Sequence, residues 1–178
     1  MICLCSFGKL GETLVLLLMP TTCWKQFVTC KELTDQFRNA ASGLSTIVLA
    51  ALGIATTTLE HDLPWARTCQ EFAQNHDMTT NIIHAPLISY GDFDWYQVPP
   101  DLLSPVLVLC DGPPGTTRGG RYGFLPVLAE KLESSCTILM DDGERVEEQR
   151  IAQRWAAEYE FAPRWITGVS GTTILLHR

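Results

Sequence analysis

From residue 42 onward, apolar positions recur in two alternating patterns, one at helical spacing and one in short unbroken or β-branched runs. Leu44, Ile47, Val48, Ala51 and Leu52 fall at i, i+3, i+4, i+7 and i+8, which predicts an amphipathic helix over 42–53 ending at Gly53. The β-branched run 54–62 predicts a strand that ends in acids. Pro64 opens a second helix over 64–77, with Trp65, Cys69 and Phe72 on one face. Residues 80–87 read as a short strand, and 88–104, rich in aromatics and turn residues, as a loop. The run 106–110 does not alternate, so it predicts a strand buried on both faces. A glycine-rich loop (111–123) leads to a helix carrying Phe124, Leu125, Leu128 and Leu132. Residues 136–143 predict another buried strand ending in acids. The stretch 144–159 predicts a helix with Val146, Ala152, Trp155 and Tyr159 inward and its charges outward. Two β-rich runs around a Gly-Val-Ser-Gly turn in 164–178 predict a hairpin.

Strands alternating with helices predict an α/β fold: a Rossmann-like three-layer sandwich with a mostly parallel sheet. The closing hairpin adds an antiparallel C-terminal strand. The 178 residues are enough for one domain with a substantial core. Within it, 42–178 forms the patterned α/β domain. Residues 1–41 form a divergent N-terminal segment that supplies the first strand if the apolar run 12–19 is one.

Charge and composition narrow the partners. A formal net charge of −7 argues against nucleic acid or an anionic membrane. The apolar run 14–19 is shorter than the roughly 20 residues that a bilayer requires, and it lacks the flanks of a signal peptide. The protein is therefore expected in the cytoplasm. Four of its seven cysteines (Cys3, Cys5, Cys23, Cys30) precede residue 31, but their spacing forms neither CxxC units nor a Cys/His zinc pattern. Buried, reduced thiols are the simpler reading.

Four short motifs occur in order on this frame: SGLST (42–46), LEHDLPWA (59–66), DGPPG with RY (111–115 and 121–122) and MDDGER (140–145). In these the chain resembles class I S-adenosylmethionine-dependent methyltransferases, in particular a bacterial group bearing SGLST, LEHD, DGPPG and DD motifs. The resemblance covers roughly residues 40–178, and a sheet whose last strand runs antiparallel belongs to it. It implies that S-adenosyl-L-methionine is the cofactor and that a small molecule accepts the methyl group. Glycine between the first strand and first helix lets backbone approach a ligand, and a helix N-terminus favours a carboxylate. That glycine is Gly43, with Ser42, Ser45 and Thr46 as hydroxyl neighbours. Glu60, 17 residues on, is suited to accept both ribose hydroxyls, as acids do at the same strand end in dinucleotide-binding folds. His61 and Asp62 flank it on the adenosine side, and Ala85 and Pro86 border the adenine. Asp111 is the candidate catalytic residue, able to orient the acceptor, take its proton or stabilise the sulfonium. Arg121, Tyr122 and Asp142 are candidate substrate contacts, with Arg121 alternatively a clamp on Asp111. Trp95 and Tyr96 are candidate walls of the acceptor site. Asp111, Asp141 and Asp142 together also make an oxygen-rich set of the kind hard cations take, although no metal is expected here.

The chain departs from that family before residue 42. Asn39 stands where an acid is expected and Ala41 where a first glycine is expected, and residues 35–39 make a poor buried strand. These departures support a second reading, a non-catalytic relative that serves as a binding or assembly module. An NAD-dependent oxidoreductase would share the ribose acid. It is disfavoured because no G-x-G-x-x-G precedes the first helix.

Overall fold

The computed structural model describes residues 2–5, 41–102, 104–168 and 171–177. These form a mixed α/β fold around one seven-stranded sheet. In chain order the elements are β1 (Ile2–Cys5), α1 (Ala41–Ala51), β2 (Thr56–Glu60), α2 (Leu63–Asn75), β3 (Asn81–His84), β4 (Leu87–Ser89) and β5 (Asp94–Tyr96). They continue with β6 (Leu107–Cys110), α3 (Phe124–Leu128), β7 (Thr137–Met140), α4 (Val146–Tyr159), β8 (Ala162–Gly168) and β9 (Gly171–His177). The large sheet runs β3-β2-β1-β6-β7-β9-β8, while β4 and β5 pair as a separate antiparallel hairpin.

The strand direction differs from expectation at one place. Residues 54–177 give the expected arrangement, with β2 parallel to β3, β6 parallel to β7, and β9 inserted antiparallel beside β7. The centre, however, is held by β1, which is antiparallel to both β2 and β6. Two strands of the seven therefore oppose the other five. Either direction lets a strand satisfy the ladder of N–H and C=O groups on both sides, so a four-residue segment fills the slot in reverse. The candidate strand 12–19 lies outside the described residues.

Alternation along the strands sends side chains to two apolar clusters. Val108, Cys110, Ile138 and Met140 meet Phe124, Leu125 and Leu128 of α3 and Ala152 and Trp155 of α4. Leu107, Leu109 and Leu139 point the other way, toward Leu49 of α1. The expected burial of β6 on both faces is thus met, as Leu107 and Val108 are almost fully enclosed.

The helices start and stop for local reasons. Gly53 follows α1 at φ +70° and donates its N–H to the Ala50 carbonyl, a left-handed stop that a side chain would strain. The Asp62 carboxylate accepts from the Trp65 N–H at 2.8 Å and caps α2, with Pro64 in the first turn. Two inward faces differ from those expected. In α1, Leu44 is exposed, as is Leu52 just beyond the helix end, whereas Thr46, Ile47 and Leu49 are buried. In α4, Val146 is 59% exposed and Glu148 is buried, because the inward stripe runs Glu148, Ala152, Trp155. Among the described residues, no helix is long and apolar enough to cross a membrane.

Candidate functional site

β2, β3, β6 and β7 all point the same way, so their carboxyl ends meet at one edge of the sheet. That edge gathers Glu60, Ala85, Asp111, Asp141 and Asp142. Ile2 pairs with both Leu59 and Cys110, which sets Glu60 and Asp111 at matching heights two strands apart. Two strand spacings are roughly 9–10 Å. Helix α1 reaches the same edge. Thr46 hydrogen-bonds Thr58 midway along β2 at 3.0 Å between hydroxyl oxygens, and buried Gly43 lies three residues, about 4.5 Å, nearer the helix start. Ser42 and Ser45 belong to the same first turns. The buried Thr46 hydroxyl faces the sheet.

Glu60 is only 2% exposed. Its Oε1 accepts from the Asp62 backbone N–H at 2.8 Å and lies 2.8 Å from His61 Nδ1. The His61 contact is close but poorly directed, and Nδ1 makes no hydrogen bond. His84 Nε2 lies 3.1 Å from the His61 carbonyl. The Ala85 N–H donates to the Glu60 carbonyl at 2.7 Å, which brings the end of β3 alongside. Pro86 is exposed at the rim, and its carbonyl accepts from Gln97.

Arg121 is the charged centre of the other half. It is 4% exposed, and its Nη2 reaches Asp142 Oδ2 at 2.8 Å, the Asp111 carbonyl at 3.3 Å and Asp111 Oδ1 at 3.4 Å. Nη1 donates to the Asp141 carbonyl and lies 3.7 Å from Glu148 Oε1. One guanidinium thus ties together the ends of β6 and β7 and the start of α4. Burial pulls its pKa down, but Cys110, Asp142 and Glu148 outweigh that and keep it charged. Asp142 sits at φ +58°, a left-handed conformation uncommon outside glycine, and also holds Arg145 at 2.8 Å. It does not cap α4, whose first turn lacks a side-chain cap. Oxygens of Asp111, Asp141 and Asp142 lie within 4.8 Å of one another, and two of these carboxylates already face Arg121. Burial, with the charges of Asp141 and Asp142, holds the Asp111 carboxyl above its ordinary range. Burial likewise pushes the adjoining Cys110 thiol up to about 11.

Tyr122 is committed elsewhere. Its hydroxyl donates to Glu158 at 2.8 Å, its ring lies 3.6 Å beneath the Arg154 guanidinium, and its carbonyl accepts from Trp155 Nε1. Burial and then Glu158 push its phenol up to about 12. Asn39 lies outside the described residues, and Ala41 is the first residue of α1.

The stretch expected as a loop contributes more than a covering. Its hairpin β4–β5 buries Trp95 and Tyr96 completely. The glycine-rich loop closes over it: a Cβ on Gly123 would stand 2.8 Å from Phe93 Cδ2 and 2.9 Å from Trp95 Cβ. One on Gly119 would stand 2.6 Å from Phe93 Cβ. Among the described residues, the buried Tyr96 hydroxyl and Trp95 Nε1 have no hydrogen-bond partners. Each such group costs about 1–3 kcal/mol. Tyr96 is expected from the sequence as a wall residue, whereas periodicity could not reveal Glu148, an acid on a charged helix.

An open cleft of about 660 Å³, lined by Ala50–Ala55 and His76–Thr79 residues, lies at the opposite edge, where β2 and β3 begin. It contains none of the residues above. Compared with known proteins, the chain matches no family model and no curated protein.

Proposed function

We propose that the protein is an S-adenosylmethionine-dependent methyltransferase acting on a small-molecule acceptor, with a Rossmann-like three-layer sandwich as its frame. One observation carries the reading: buried Glu60 and partly buried Asp111 share one sheet edge at matching heights, with Gly43 of α1 above them. The residues fit the cofactor. Glu60 is held by the Asp62 N–H on Oε1 and is suited to accept ribose hydroxyls, and the buried Tyr96 hydroxyl has no hydrogen-bond partner among the described residues. When bound, the cofactor supplies an electrophilic methyl group on a sulfonium. Asp111 is suited to balance that positive charge and to receive the acceptor's proton, a role that its raised pKa favours. Arg121 holds Asp111 and Asp142 in place as a positioning residue. Buried free thiols at Cys69, Cys110 and Cys136 fit a reducing cytoplasm.

One feature favours the second reading, a non-catalytic binding or assembly module. Because β1 is reversed, its carboxyl end at Cys5 pairs with Thr56 and Leu107, at the edge away from Glu60. The turn that leaves a parallel central strand, normally next to the ligand, is then not at this edge.

Calorimetric titration with S-adenosylhomocysteine tests the proposal. Micromolar binding, weakened by at least about tenfold in Glu60→Ala, is the expected result. A folded wild-type chain that does not bind supports the non-catalytic module instead.

A further inference from the structure

Tyr96 is 0% exposed, yet its hydroxyl has no hydrogen-bond partner among the described residues. The ring stands edge-on to His61, with centroids 6.1 Å apart, and therefore beside the end of β2. Burial pushes its phenol well above the ordinary range. The ring thus packs beside His61, the residue after Glu60 at the end of β2. Its backbone is held by the hairpin, with Leu87 opposite and the Tyr90 hydroxyl donating to its carbonyl at 3.3 Å. A phenylalanine would pack as well, so packing alone does not account for the oxygen. Buried polar atoms in folded proteins are nearly always satisfied, so a buried hydroxyl on a ring beside the end of β2 calls for a hydrogen-bonding role.

We infer that the Tyr96 hydroxyl is a ligand-binding group that hydrogen-bonds the nucleoside half of the ligand held by Glu60. This rests on the reading of the site as a nucleoside-bearing cofactor site. The hydroxyl either donates to an oxygen or nitrogen of the nucleoside or accepts from one of its hydroxyls. Glu60 can only accept while ionised, so the pair suits a ligand that offers both donors and acceptors, as a nucleoside does, and not a simple cation.

The experiment is calorimetric titration of wild type, Tyr96→Phe and Glu60→Ala with S-adenosylhomocysteine and, separately, with adenosine, with thermal melting of each apo protein. Tyr96→Phe should weaken both ligands roughly five- to tenfold, as expected for one hydrogen bond, while its apo melting temperature stays level or rises. Unchanged affinity for both ligands overturns the inference while the cofactor reading stands. A loss confined to S-adenosylhomocysteine also overturns it, because the contact then belongs to the amino-acid half. A lower apo melting temperature shows that the oxygen supports the fold and overturns it too. If wild type binds neither ligand, the cofactor reading falls and the inference with it.

Discussion

Arg121 Nη2 and Asp142 Oδ2 lie 2.8 Å apart, and the same buried guanidinium faces Asp111 and Glu148. Three acids against one cation make Arg121 the residue on which the Asp111 half of the site depends. Arg121→Gln leaves those carboxylates partly buried without their counter-charge. The expected cost is about 3–5 kcal/mol in urea unfolding at neutral pH. Arg121→Lys should recover only part of it, since an ammonium cannot span Asp111, Asp142 and Glu148 together. A glutamine variant as stable as wild type would show that the cluster does not need the cation.

Asp111 should reveal itself through pH. Its carboxyl titrates above its ordinary range in the fold, mainly through burial, so the folded state holds the proton more tightly than the unfolded chain does. Its stabilising contribution is complete below the unfolded value and is lost as pH rises through the folded one. Asp111→Asn removes that loss. The variant should melt higher than wild type at pH 7, and the difference should shrink toward pH 3. A gap that is equal at both ends, or reversed at pH 7, contradicts the expected direction.

Cys110 lies beside Asp111 at 1% exposure, with its thiol pushed up to about 11. Its Sγ lies 3.7 Å from the Gly112 carbonyl. Both burial and protonation should make it slow to alkylate. Mass spectrometry after iodoacetamide at pH 8 should find Cys110 unmodified in the native protein and labelled once the protein is unfolded.

Gly123 connects the glycine-rich loop to the hairpin. A methyl group there meets Phe93 and Trp95 within 3 Å, and neither fully buried Trp95 nor the strand carrying it can give way freely. Gly123→Ala should cost about 1–3 kcal/mol in denaturant unfolding. It should also weaken S-adenosylhomocysteine binding, because the displaced strand carries Tyr96.

Much of the frame was legible because periodicity reports burial. The runs 54–62 and 106–110 gave β2 and β6, and Gly53 and Pro64 marked real helix boundaries. The closing hairpin was legible from its turn, with Gly168 paired to Gly171. Other features depend on tertiary partners that local sequence does not carry. Glu148 turns inward because Arg121 lies there, while Val146, the first residue of α4, is left in solvent. The β4–β5 strands are three residues each, too short for alternation to register, and their aromatics read as surface loop. Glu60 and Asp111 were legible as strand-end acids, but their placement at equal height follows from a register that only β1 supplies.

The reversed strand β1 also sets an order of events during synthesis. Its partners Leu59 and Cys110 lie 57 and 108 positions after Ile2, so β1 must wait for residues made much later. At roughly 5–20 residues per second, β6 emerges about 5–20 s after β1 has left the ribosome. β2 is available to pair before β6, and contacts so distant in sequence close slowly. Joining β1 to β6 is therefore the longest-range step among the described strand pairings, and it links the two halves of the sheet.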